Sequence, residues 1–313
     1  MTFSAFLGLA QTSLELGLIN ALTVLSLFLS YSMLNVCDLS TDGCFTLGAA
    51  VGAVVAVAGH PYLSIPAAML AGVLSGLVTA VIQTRMGINS LLAGIIVNTA
   101  LYSVNMVVMG GSAQVNIFKS STVFTLLQDV LKDTPFAGGQ KLIIAAVAVA
   151  LAIWFLSAFL KTRMGLAIRA TGDNPDMVRA SSISPAFTTT VGLCLSNALT
   201  GLSGCLLAQQ GSSANIDIGS GMVTTALASL LIGGVFTRKC RSIPLRALGA
   251  VLGSFIFRLV YAIALRFKVP STMFKAVSAI IVVLCIFIPY FKTQWPMLKR
   301  KLHALRGTRK EAV

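Results

Sequence analysis

Lys161 to Pro185, KTRMGLAIRATGDNPDMVRASSISP, is a charged island between two long apolar stretches. It sets Lys161, Arg163, Arg169 and Arg179 against Asp173 and Asp176. Asn174 can cap a helix, Pro175 fits its first position, and Asp176 suits the positive end of the helix dipole. The chemistry open to such a segment is recognition, not bond-making. A polar, capped helix cannot cross a bilayer, so it reads as a structured surface on one side of a membrane. Such a surface either receives a partner or is a plain loop helix.

The other polar residues of interest lie in or beside apolar stretches. Asn98, Tyr102 and Asn105 recur at i, i+4 and i+7 and so share one helix face. In lipid that face must turn toward other helices, as packing glue or as a strip along a translocation pathway. Asp38 and Asp42 sit in the polar link Asn35 to Gly43. They are solvated charges if the link is an ordinary cytoplasmic turn. If it dips into the membrane, they line a pathway or pair with a cation. Arg258 falls deep within an apolar segment, where a charge is a functional candidate unless it snorkels to the surface. Lys275 reads as a snorkelling residue, and Gln209, Gln210, Asn215 and Asp217 mark an outer turn that is either a gate or a plain loop.

Catalysis finds no support. No lysine follows a glycine anywhere, so there is no Walker A loop to hold ATP phosphates. His60 and His303 fit no metal motif, and no Ser/His/Asp set shares a depth. Cys37, Cys44, Cys194, Cys205, Cys240 and Cys285 show no CxxC spacing and read as small buried hydrophobes.

The elements that must position these residues follow from composition. The chain is 56% hydrophobic and 10% charged, with a mean hydropathy of +0.89. That excludes ordinary soluble domains and indicates an all-α polytopic membrane protein of about 8–10 transmembrane helices. Candidate spans lie at about 14–34, 44–59, 62–83, 90–109, 141–160, 187–209, 221–236, 244–265 and 271–291. The start, MTFSAFLGLAQ, lacks the marks of a cleaved signal, so insertion is expected through the first span.

With the last span ending inside, 16 of the 23 Lys and Arg fall on the cytoplasmic side. The net charge of +14 is therefore a topology signal, not a nucleic-acid footprint. The run from Lys299 to Lys310 could also touch anionic membrane lipid. If all nine segments cross, the N-terminus lies outside; a broken or re-entrant helix near 35–59 would put it inside. The organisation is one membrane domain over 1–291, with the polar segment 161–186 within it, and a basic cytoplasmic tail over 292–313. GxxxG pairs at 48/52, 72/76 and 249/253 predict close helix contacts.

The island resembles the cytoplasmic coupling segment of bacterial ABC-importer permeases of the branched-chain amino acid, sugar and nucleoside superfamily. That segment has the form T-x-x-G-x-x-x-R-A-x-G-x-N-P, matched by Thr162, Gly165, Arg169, Ala170, Gly172, Asn174 and Pro175. The blocks at 91–110, 207–233 and 269–284 are similar to the tryptophan/tyrosine transport permease subgroup. SANID at 213–217 departs from that subgroup's pattern, so no role is carried over to Asp217.

The resemblance implies a type II-like permease bundle. Two permease subunits, as a homodimer, would enclose the pathway at their interface. Two cytoplasmic ATPases would hold the ATP, this chain binding no cofactor of its own, and an extracytoplasmic binding protein would deliver the solute. A helix at about 175–183 would sit in a groove of the ATPase. Arg169, Asp176 and Arg179 would supply polar contacts there, and Met177, Val178 and Ile183 would fill the groove. The solute implied is an aromatic amino acid, with another amino acid, a nucleoside or a sugar as alternatives. A stand-alone secondary transporter would instead need coupling charges and inverted repeats, and no clear repeat is visible.

Overall fold

The computed structural model describes residues 3–118, 120–131, 139–237, 240, 242–266, 276, 279–280, 282–284 and 287. Helix α1 (Phe3–Leu27) continues into a π-helical stretch, Phe28–Met33. There follow α2 (Thr41–Val57), α3 (Pro61–Arg85), α4 (Ser90–Val108), the short strand β1 (Gln114–Asn116) and α5 (Val123–Leu131). Next come α6 (Gln140–Phe159), α7 (Arg163–Asp173), α8 (Pro175–Ala180), α9 (Pro185–Gln210), β2 (Ser213–Asn215), α10 (Met222–Thr237) and α11 (Ile243–Arg266).

Among the described residues, six helices are long and apolar enough to cross a membrane: Gln11–Met33, Pro61–Arg85, Ser90–Val108, Gln140–Phe159, Pro185–Gln210 and Ile243–Ala264. They correspond to six of the expected spans. The expected spans at 44–59 and 221–236 are the shorter helices α2 and α10. The ninth, at 271–291, falls largely outside the described residues, as do Lys275 and the basic tail. The helix α5 and the antiparallel pairing of β1 with β2 were not expected.

The centre of the bundle is α9, packed on α1, α2 and α3. Small residues let these backbones approach. A Cβ on Gly76 would lie 2.6 Å from the Leu193 carbonyl, one on Gly52 2.5 Å from Cys205 Sγ, and one on Gly253 2.7 Å from the Gly233 amide. All three GxxxG pairs therefore sit at helix contacts. Hydroxyls bridge the same seam. Ser26 Oγ lies 2.8 Å from both Ser196 Oγ and Thr200 Oγ1, and Ser203 Oγ donates to the Ile19 carbonyl at 2.7 Å. In a dry interior these bonds satisfy groups that lipid could not.

The helices divide the bundle into two ends. One carries α7, α8 and the start of α9; the other carries β1, β2 and α5. The C-terminal end of the α1 rod meets α7: a Cβ on Gly172 would strike Met33 and Leu34. Asn35, at φ 56°, then turns the chain back into the bundle. By Asp38 it has reached Asn197, about midway along α9. Helix α2 starts there and runs beside α9 toward the strand end.

The chain after β2 enters from that opposite end. Gly219 to Val223 meets Asp42 and Thr46, and α10 then runs back toward the α7 end. The break near 35–59 is thus real, but it does not reverse the N-terminal half. Helix α1 begins at the strand end, opposite α7 and α8: Glu15 lies near Gln210, and Arg246, early in α11, reaches Ser32.

Candidate coupling surface and membrane cavities

The island folds as two capped helices. Thr162 Oγ1 accepts from the Gly165 amide at 3.2 Å and opens α7. Asn174 Oδ1 accepts from the amides of Asp176 and Met177, each at 3.0 Å, and opens α8. Ser182, at φ 60°, ends the segment. The anchor is apolar and internal: Ile168 and Val178 are buried, and Thr171 Oγ1 meets Thr188 Oγ1 at 2.8 Å.

This geometry turns two residues of the island inward. Val178 faces its own chain with 1% exposure, so it cannot fill a partner's groove. Gly172 is a spacer that seats α7 on Met33 and Leu34. The helix itself ends at Ala180, earlier than 183. Met177 and Ile183 are exposed, and so is Phe187 at the start of α9, which sequence reasoning missed. Asp176 and Arg179 form an exposed i,i+3 pair at 3.3 Å, of little stabilising value and free to exchange partners. Arg169 is half-buried on α7, and Asn174 and Pro175 lie at the exposed junction.

Four of the predicted pathway residues come together. Asp42, Asn98, Tyr102 and Asn105 line a cavity of about 340 Å³ with Asp217 and Ser220. Asn105 is buried; its Nδ2 donates to the Gly43 carbonyl at 3.1 Å, while its Oδ1 has no hydrogen-bond partner. Tyr102 is half exposed on the outer face of α4. Asp42 also has a structural task, because its carboxylate accepts from Gly221 N at 2.9 Å and Val223 N at 2.7 Å. It thereby caps the N-terminus of α10 from another helix, where both the amides and the helix dipole favour an anion.

Asp42→Ala is expected to lose about 2 kcal/mol, the size of charge-assisted bonds to buried amides. Asp42→Asn, which keeps one acceptor, should lose less. Thermal unfolding of the purified protein measures both.

Asp38 is placed elsewhere. It is 1% exposed and accepts from Ser40 N at 2.8 Å, Ser40 Oγ at 2.6 Å and Asn197 Nδ2 at 2.8 Å. Three donors hold it in the packing of the link, away from the cavity. Gln209 is buried too, with Nε2 on Ser64 Oγ at 2.6 Å and Oε1 receiving the Val123 amide at 3.0 Å. It closes the end of α9 and is no loop residue.

Arg258 lines a second cavity of about 600 Å³ between α10 and α11. Its guanidinium turns inward. With the Asn20 amide oriented to satisfy its neighbours, the Asn20 oxygen accepts from Nε and Nη2, and the Tyr261 ring lies 5.9 Å away. Asn20 is buried on α1, so this arginine does not snorkel to the surface.

Comparison with known proteins gives one consistent family. The model described as "Branched-chain amino acid transport system / permease component" matches residues 9–286. A tyrosine transport system permease protein of Clostridioides difficile (strain R20291) is 30% identical over 273 residues, covering 85% of this chain and 86% of that protein. The ribose import permease protein RbsC of Escherichia coli (strain K12) is 26% identical over 255 residues, covering 80% and 76%. A probable branched-chain amino acid transport permease protein, LivH, of Methanocaldococcus jannaschii is 26% identical over 268 residues, covering 77% and 78%. No solved structure matches.

Proposed function

This chain belongs to the family of branched-chain amino acid transport system permease components, and from that premise we propose that it is the membrane-spanning subunit of an ATP-driven importer for an aromatic amino acid. The observation that carries the proposal is a continuous route. The exposed, capped helix α8 is built on α7, Gly172 seats α7 on Met33 and Leu34, and the link from there leads into α2, whose first turn holds the cavity residue Asp42. A force applied at α8 therefore reaches the polar cavity through packed elements. That is the arrangement a separate motor requires, and the two-state element is the rigid α7–α8 pair moving with the foot of α1.

The ATPase would dock on Met177, Arg179 and Ile183, and the excess of Lys and Arg supports a cytoplasmic position for that end. A binding protein would deliver solute at the strand end. The cavity opens beside Tyr102 on the outer face of α4, where Leu92, Ile95 and Val107 are also exposed. A second copy of this chain laid against α4 would close it and complete the pathway. The aromatic amino acid follows the tyrosine permease relative. A sugar is the second reading, supported by the ribose permease relative and by the amides and hydroxyls of Asn98, Asn105 and Thr46 in the cavity.

Uptake into proteoliposomes decides between them, with the permease reconstituted alongside an ATPase and a binding protein that assemble with it. ATP-dependent accumulation of labelled tyrosine or tryptophan, with ribose and leucine excluded, is the expected result. Accumulation of ribose alone overturns the substrate, and uptake that needs no ATP overturns the importer.

A further inference from the structure

Arg258 is an unusual expense. It lies in the apolar helix α11, and a guanidinium there is costly unless something offsets its charge. Among the described residues it meets only neutral partners, the Asn20 amide and the Tyr261 ring. No carboxylate of those residues lies within 4.0 Å of it; the exposed pair Arg179 with Asp176 is at the far end of the molecule. Asn20 occupies Nε and Nη2, which fixes the plane of the guanidinium, and Arg258 lines the cavity. That cavity is also lined by Ser220, Thr224 and Thr225, the two threonine hydroxyls donating to the Gly221 and Met222 carbonyls, and by Phe257 and Tyr261 as aromatic walls. A fixed guanidinium with adjacent hydroxyls and apolar walls matches a carboxylate carried on an apolar body.

The neighbouring cavity has the opposite sign. It holds Asp42 and Asp217, and Ser220 lines both cavities. Asp42 is engaged with the amides of α10, whereas Asp217 is exposed. A basic chamber and an acidic chamber that share one serine are complementary to a molecule with both charges.

The geometry points to Arg258 as the carboxylate-binding residue for a zwitterionic amino acid whose ammonium faces the acidic chamber across Ser220. This rests on the importer reading above and adds the chemistry by which the solute is recognised. It also separates an amino acid from a sugar, because a neutral polyol leaves the guanidinium uncompensated.

The test uses the purified full-length permease in nanodiscs of zwitterionic lipid, so that no anionic headgroup competes. Thermal unfolding is followed with L-tyrosine, with its deaminated analogue 3-(4-hydroxyphenyl)propionate, and with its decarboxylated analogue tyramine. The expected order of stabilisation is tyrosine, then the propionate, then tyramine. In Arg258→Gln both carboxylates should fall to the tyramine level, and Arg258→Lys should retain part of the shift. Wild-type protein that shows no carboxylate-dependent shift, or that responds to tyramine as it does to tyrosine, overturns the assignment, as does a shift that survives in Arg258→Gln. The wild-type comparison decides the matter even if the glutamine variant does not fold. The measurement needs neither ATP nor a partner, so it fails independently of the uptake experiment.

Discussion

Gly48→Val abolishes recovery of a monodisperse permease. The reason is contact of backbone with backbone. A Cβ at Gly48 would lie 2.5 Å from the Cα of Gly201 and 2.7 Å from its carbonyl carbon. Neither atom can rotate away as a flexible side chain would, so α2 must leave α9. Overpacking a core costs about 1–3 kcal/mol when side chains can adjust. Here they cannot, and the loss exceeds that range and removes the seat of Asp38 on Asn197 and of Asp42 on α10. Size-exclusion profiles of fluorescent fusions report the outcome.

The adjacent glycines of α10 supply an internal control. Gly233→Ala drives a methyl into the Gly249 backbone, while Gly234→Ala meets nothing within 4 Å. The first should fail, and the second should match or exceed wild type, since alanine favours a helix by about 1 kcal/mol over glycine. Wild-type behaviour of Gly48→Val or Gly233→Ala would refute the packing.

The second large effect is functional. Replacing Met177 and Arg179 together by Asp should cut ATPase co-purification and ATP-driven uptake roughly tenfold or more, the scale of losing a docking hot spot. Both side chains are exposed, so the melting temperature of the permease alone should stay at the wild-type value. Val178→Asp must behave differently. It buries a charge under α8 and should destabilise the protein itself. A double variant that captures ATPase and transports normally would refute the role of α8.

Much of this was legible in the sequence, because the bilayer makes apolar length a strong signal. The long helices follow the apolar runs, and the cap at Asn174 follows from residue type alone. The short segments at 44–59 and 221–236 also carried information in their length, since helices that begin inside a bundle need fewer residues than full spans. What was hidden is what faces what. The resemblance points to Gly172 and Val178 but not to their direction, and both turn inward. Asp42 caps a helix whose start lies far along the chain, and no local pattern encodes that. Helical spacing put Asn98, Tyr102 and Asn105 on one face, yet only the fold brings Asp42 to them and holds Asp38 away. Arg258 stood open between function and snorkelling until the position of Asn20 decided its direction.

The placement of α2 also constrains the order in which the chain can be assembled in the membrane. Its seat is built by α9, which leaves the ribosome long after Val57. At translation speeds of roughly 5–20 residues per second, that interval is on the order of ten seconds. Throughout it, Asp38 lacks Asn197 and Asp42 lacks the amides of α10. Insertion of α2 is therefore provisional until α9 arrives, and the capping of α10 then closes the assembly. A nascent chain halted before Pro185 carries two carboxylates without those ligands.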